Sequence, residues 1–450
     1  MSAFTFLPPF DSHQPCPNRG GVWFQSKHNN RLLFVCFWGM VVGVVLGVFG
    51  ESAFAQPAAR PQNALEAVLM EHALTAEELE ELRDQTVNLL FSNGKREDGV
   101  ALSEFVTTRD PRMIRMVAVT REGERRPRRF PTSQLFRVEV GEKTFRVNTI
   151  PSARAAVFQD VARHEEQVRS QLQTSGESLW EKPSDEDQAE YVAEEKEFLK
   201  KVQSHFGPLN MQLHETAYFL FLTDMPPAQA APYLVQLDKM NEMLGTAFGF
   251  APGENVWRGK AVVVAFVARP AFIEFQQVFL ENTPGDSVQG LCTQFSHGRV
   301  VISCYRGDDP VFFGGLLVHE TAHGYVHRFL STASIPSWLN EGISEWVARG
   351  VVPECTAFRQ RPQQAAAQLR QTGSLAGYFV AEQIESWQYG VALSMVDLMI
   401  KESPDQFRLL FNGIKEGLPW RDSLMRAYGL TPEALTTAYG RSIGVPGLQP

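Results

Sequence analysis

The chain has 450 residues, a length that allows two or three domains of roughly 150 residues and excludes a mini-protein held together by disulfides. Apolar residues make up 44% and charged residues 21%, the balance of a folded globular chain, which excludes wholesale disorder and a multi-span membrane protein. The net charge of -9 offers no basic footprint, so nucleic acid is excluded as a partner.

Residues 1–55 read as a signal peptide. Arg19, Lys27 and Arg31 stand against one acid, Asp11, and precede the uncharged apolar run 32–50. Ala53 and Ala55 then supply a small-x-small site, which predicts cleavage after Ala55. The competing expectation is an uncleaved membrane tether through residues 32–50, long enough to span a bilayer. Either way the remainder is exported, secreted or periplasmic, because the basic flank stays inside. The exported part keeps Cys292, Cys304 and Cys355. Cys292 and Cys304 fall on two strand-like runs joined by a short turn, which predicts a local disulfide with Cys355 free, or else a pair of reduced core thiols.

In chain order, residues 56–180 read as a small N-terminal domain containing both helices and strands. Residues 64–90 are helical and split at Thr75, an N-cap with Glu78 completing a capping box. Strands follow at 113–120, 135–140 and 144–149, then a helix over 153–172. Arg121, Arg125, Arg126, Arg128 and Arg129 are interleaved with Glu122 and Glu124, the pattern of a solvated loop. Residues 181–206 read as a flexible acidic linker and a helix, 191–205. The unit 207–450 begins with strand 212–223, helix 227–248, strand 261–267, helix 271–280 and a hairpin over 291–305, and is almost wholly helical from residue 310. Mixed strands first and helices afterwards predict an α+β fold.

Within the helical pattern 311–330 lies His319-Glu320-Thr321-Ala322-His323. Positions i and i+4 are about 40° apart around a helix and about 6 Å apart along it, so both imidazoles can reach one ion. Glu320 lies about 100° around from His319, beside such an ion, where it can take a proton from water. The segment 336–346 then reads PSWLNEGISEW. A helix capped by Ser337 puts Glu341 and Glu345 on one face, where like charges repel by a few tenths of a kcal/mol unless a cation intervenes. Glu341 is therefore the expected third ligand, leaving a position open for water, and Glu345 the expected acceptor for a ring N–H of His319.

With HExxH followed by WLNEG, residues 207–440 resemble the thermolysin-like gluzincin metallopeptidases, the peptidase MA-like domains. The resemblance implies a zincin fold in which a mixed sheet precedes a helical half. It further implies one Zn2+ on His319, His323 and Glu341, with Glu320 as general base, and a transition-state tyrosine on a later helix. Tyr389 is the best match for that tyrosine and Tyr378 the second. Seventeen residues, 324–340, separate His323 from Glu341, one fewer than in the aminopeptidase branch, and the GxMEN segment of that branch is absent. Phe329 stands where a metzincin would have its third histidine. His327 reads as structural, and His205, His214 and His297 have no partner at ligand spacing.

The expected function is an exported zinc peptidase acting on a peptide or protein substrate, with residues 299–305 as the edge strand that pairs with it. The alternative is a non-catalytic zinc-containing envelope module that binds a partner. A third expectation makes residues 57–206 a pro-segment. Phe312, Phe313, Leu316, Leu317, Trp338 and Trp346 recur at helical spacing and read as core rather than as a substrate pocket.

Overall fold

The computed structural model describes residues 2–4 and 61–450 apart from 125 and 252. The signal-peptide, cleavage and tether expectations lie outside the described residues, save for 2–4, as does Arg125.

A short strand β1 (Ser2–Phe4) is followed by helices α1 (Pro61–Glu71) and α2 (Ala76–Glu80). Thr75 caps α2, and the Glu78 side chain returns to the Thr75 N–H at 2.8 Å, so the capping box is formed. Next come β2 (Thr86–Phe91), β3 (Arg96–Thr107), β4 (Ile114–Thr120), β5 (Arg128–Pro131), β6 (Leu135–Val140), β7 (Lys143–Ile150) and β8 (Ala155–Asp160). They pair in the order β3-β2-β6-β7-β8-β4-β5, and β4 also pairs with β3, which closes the sheet into a small barrel. Its interior is an apolar core of its own, with Leu89, Val100, Leu102, Val117 and Val138 fully buried.

Helices α3 (Val161–Thr174) and α4 (Asp185–His205) lead to the second sheet, made of β9 (Gln212–Glu215), β10 (Phe219–Thr223), β11 (Ala261–Phe266), β12 (Gly290–Gln294) and β13 (Val300–Tyr305), with α5 (Pro227–Phe248) and α6 (Arg269–Leu280) between strands. The order is β1-β12-β13-β11-β10-β9; β10, β11 and β13 run parallel, and β12 lies antiparallel on β13. FLFLT and AVVVAF are buried at every position, as central parallel strands covered on both faces must be. One face packs on α4 and α6, the other on α5 and the helical half. That half comprises α7 (Pro310–Arg328), α8 (Ser337–Val351), α9 (Thr356–Thr372), α10 (Gln388–Glu402), α11 (Pro404–Lys415), α12 (Trp420–Tyr428) and α13 (Pro432–Ser442). The architecture is mixed α+β, sheet-rich first and helical afterwards.

Several expected boundaries differ. The helix read over 64–90 stops at Glu80, and Thr86–Phe91 is a strand whose alternating burial fits a barrel wall. The helix read over 153–172 begins at Val161, capped by Asp160, after the buried strand Ala155–Asp160. The linker read over 181–190 is ordered from Ser184, whose capping box with Asp187 starts the 21-residue helix α4. The single strand read over 212–223 is an antiparallel pair. Cys292 and Cys304 are free: Cys292 sits opposite Ile302 and Cys304 opposite Gly290, so the thiols are diagonal neighbours beneath α7 and unbonded. Strand 299–305 is not an edge; β13 lies between β12 and β11, and beyond β12 the sheet ends in the three-residue β1. Arg121 and Arg128 are ion-paired to Glu97 at 2.6 and 2.9 Å, and Arg129 to Glu104. Among the described residues no helix is long and apolar enough to cross a membrane.

Candidate metal centre

Helix α7 begins where Asp309 accepts hydrogen bonds from the N–H groups of Val311 and Phe312 at 3.0 Å and Pro310 supplies a preformed first turn. From Phe313 to Val326 every residue is buried, because α5, α8, β12 and β13 surround the helix. A helix apolar all round can carry polar residues only if each is satisfied by a partner. His319, Glu320 and His323 are 1%, 1% and 2% exposed, so their partners define the site.

Helix α8 lacks its expected cap: Pro336, not Ser337, occupies the N-cap, and the Ser337 hydroxyl is buried without a partner. The helix still places Glu341, Ser344 and Glu345 on the face toward α7. His319 Nε2 lies 3.1 Å from His323 Nε2, and Glu341 Oε2 lies 3.3 Å from the first and 3.5 Å from the second. Ligands about 2.0–2.1 Å from a tetrahedral ion are about 3.3–3.4 Å apart, the edge length of this triangle. Neither Glu341 oxygen has a hydrogen bond although the residue is fully buried.

The opposite ring nitrogens are held from behind. His319 Nδ1 is 3.2 Å from Glu345 Oε1, and His323 Nδ1 is 3.1 Å from Ser344 Oγ. If each Nδ1–H donates to its oxygen, both Nε2 lone pairs face each other and the Glu341 carboxylate, an arrangement of acceptors that only a cation resolves. In the metal-free chain a proton takes that part. Burial drives Glu341 upward, but the two imidazoles overcome it and hold its carboxyl down at about 2. Burial also favours a neutral His319, and Glu341 and Glu345 overcome it, raising the imidazole to about 10. Buried His319, His323 and Glu341 are thus close enough, and of the right chemistry, to bind a metal ion; they are the one such group among the described residues.

Glu320 lies beside this triangle, against β12. A Cβ at Gly290 would sit 3.0 Å from Glu320 Cγ and 2.9 Å from Cys304 Sγ, so the glycine is what admits the side chain. Burial holds the Glu320 carboxyl above the usual carboxylate range, against the opposing pull of both histidines. Tyr389, on α10, has its ring 6.3 Å from that of His319, and burial with Glu341, Glu345 and Glu320 pushes its hydroxyl upward. Tyr378 is also raised, by burial and then by Tyr439 and Glu341, but it packs on Trp338 with its hydroxyl enclosed and unpartnered.

Two residues were not foreseen. Ser344 stands three positions after Glu341, a spacing that signals the shared face. Arg361, on α9, pairs with Glu345 and lies 4.7 Å above the Phe358 ring, which fixes the carboxylate that holds His319. No local sequence signal announces it, because its partner lies on another helix. His327 lies outside the triangle, its ring against Trp180; His205 pairs with Glu274. Phe313, Leu316, Leu317 and Trp338 are core, each 1% exposed or less. No protein-family model matches the chain, and no curated protein matches it.

Proposed function

We propose that this protein is an exported zinc-dependent metallopeptidase of the thermolysin-like gluzincin kind, with residues 207–450 as the peptidase unit. The observation that carries the reading is the buried triangle of two Nε2 atoms and an unbonded Glu341 carboxylate, with a second carboxylate, Glu320, beside it and outside it. Two imidazoles and one carboxylate suit zinc, and three protein donors are the catalytic rather than the structural number.

A zinc ion bound there supplies Lewis-acid polarisation and makes water a nucleophile near neutral pH. Glu320 accepts the proton as water attacks the peptide carbonyl and returns it to the departing amine. Its elevated carboxyl pKa suits a group that must both take and give a proton. The Tyr389 hydroxyl donates to the carbonyl oxygen as charge develops there. Glu345 and Ser344 hold the imidazoles in the tautomer that presents Nε2, and Arg361 holds Glu345.

An extended substrate adds to the outer edge of β12, the strand against which Glu320 packs. In the full chain that edge pairs with Ser2–Phe4 in antiparallel register, Phe4 opposite Cys292. These residues precede the predicted cleavage after Ala55, so processing frees the edge. Glu320→Gln tests the reading: metal content persists while hydrolysis of a peptide library falls by about 100-fold or more. Undiminished hydrolysis would take Glu320 out of the mechanism.

A further inference from the structure

A cavity of about 330 Å³ that shares no residue with the His319–His323–Glu341 triangle lies in the seam between the barrel and the helical half. β7 forms one wall and α11 the other, with α1 and α12 along the sides. The volume is at the small end of those that take an organic ligand.

One charge in this cavity has no ion-pair partner in contact with it among the described residues. Arg146 on β7 stands directly opposite Arg137 on β6, and like charges facing each other across two strands repel. Arg137 is neutralised by Glu254 at 2.7 Å. Among the described residues the Arg146 guanidinium has no hydrogen bond and no ion pair. Burial depresses its pKa; Glu416 and then Glu254 oppose the shift, and Arg137 and Arg408 add to it more weakly. The acids of the cavity are already engaged: Glu416 with His164 at 2.9 Å, and Asp405 with Arg408 at 3.5 Å. The cavity also holds two buried polar atoms without partners, His164 Nδ1 and Asn412 Oδ1. Buried polar groups are satisfied in the great majority of cases, so two orphans beside an unpaired guanidinium mark the place of a missing polar partner. The lining also carries an apolar patch that includes Leu65, Leu69 and Phe250, beside polar side chains such as Ser92, Asn148 and Gln159.

We infer that this seam is a binding site for an apolar carboxylate of the N-acyl amino acid type, with the acid group on Arg146 and the aliphatic body against Leu65, Leu69 and Phe250. A guanidinium fork matches a carboxylate in two parallel hydrogen bonds. The amide N–H of such a ligand is the donor that Asn412 Oδ1 lacks. The same chemistry occurs in a free acylated amino acid and at the carboxyl terminus of a polypeptide. The ligand bridges β7 and α11, so its binding joins the barrel to the helical half.

The test uses the full chain and calorimetric titration with N-acetyl-leucine, N-acetyl-leucine amide, acetyl-Gly-Gly-Leu with a free carboxyl terminus, and inorganic phosphate. N-acetyl-leucine binds, and its amide binds at least tenfold more weakly. If the tripeptide matches or exceeds N-acetyl-leucine, the source is a chain terminus; if it does not bind, the source is a free acid; both outcomes support the site. Arg146→Gln weakens N-acetyl-leucine binding at least tenfold with metal content unchanged. Arg146→Met melts at a higher temperature than the native chain without ligand, because it removes an unpaired charge, and loses the ligand-induced rise in melting temperature. Equal binding of acid and amide, equal binding of phosphate, undiminished binding by Arg146→Gln, or a lower melting temperature for ligand-free Arg146→Met would each overturn the inference.

Discussion

An alanine at position 342 sets two well-known effects against each other, and the packing of α8 on α10 decides which wins. In a helix interior, exchanging glycine for alanine gains about 1 kcal/mol from propensity alone. Here the new Cβ would lie 2.5 Å from Val396 Cγ2 and 2.7 Å from the Ala392 carbonyl oxygen, both on α10. Ordinary van der Waals contact begins near about 3.4 Å, so the helices must part by roughly 0.7 Å at the carbonyl, which cannot rotate away as a side-chain end can. Overpacking typically costs about 1–3 kcal/mol, and contact with backbone belongs at the upper end, leaving a net loss of about 1–2 kcal/mol. The neighbouring residue is Glu341, whose carboxylate closes a triangle with edges of 3.1 to 3.5 Å. A shift of that size in α8 therefore lowers metal affinity, by about tenfold. Urea denaturation of Gly342→Ala and zinc titration against a competing chelator measure both effects. A variant as stable as the native chain, with unchanged affinity, would refute the argument that this contact sets the position of Glu341.

Two further outcomes follow from buried groups around the end of α7. His327 is held by burial, and then by Lys415 and Arg328, at a pKa of about 4, below its ordinary 6.5. The folded state thus refuses a proton that the unfolded chain accepts, so stability is full above pH 6.5 and declines as pH falls toward 4. The loss attributable to His327 is about 2 kcal/mol at pH 5. The stability difference between His327→Phe and the native chain should therefore shift by that amount between pH 7 and pH 5 in urea titrations, and a constant difference would exclude His327 as the cause. Lys415 Nζ donates to the carbonyls of Ser331 and Ala333, each at 2.7 Å, and to that of His327 at 3.4 Å. It pins the segment that joins the two helices carrying the candidate ligands, so Lys415→Met leaves buried carbonyls unsatisfied and destabilises by about 2–4 kcal/mol in the same assay; a loss below about 0.5 kcal/mol would show that water replaces the ammonium.

What could be read from the sequence was what local spacing determines. Helical periodicity brings His319 to His323 and Glu341 to Glu345 whatever the rest of the chain does, and the resemblance in WLNEG paired the two segments before their packing was known. The capping box at Thr75 was legible for the same reason. Arg361 was not, because it reaches Glu345 from a separate helix and nothing in residues 356–372 refers to that partner. The edge strand was misplaced for a related reason: strand order depends on which runs pair at long range, and β12 and β13 look alike as isolated sequences. Thr86–Phe91 continued an apolar pattern that begins in α1, and only the barrel, closed by pairing with β3 and β6, selects the extended form. Ala155–Asp160 carries helix formers at strand positions that are buried from Ala155 to Gln159, so tertiary burial overrode propensity there.

The most direct test of the account is elemental analysis and X-ray absorption of the purified chain, alone and as Glu341→Ala. The account predicts one zinc per chain with two nitrogen donors and a carboxylate oxygen in the native protein, and loss of the metal with the fold retained in the variant. A folded native chain that takes up no divalent ion, or that binds one equally well without Glu341, would contradict it.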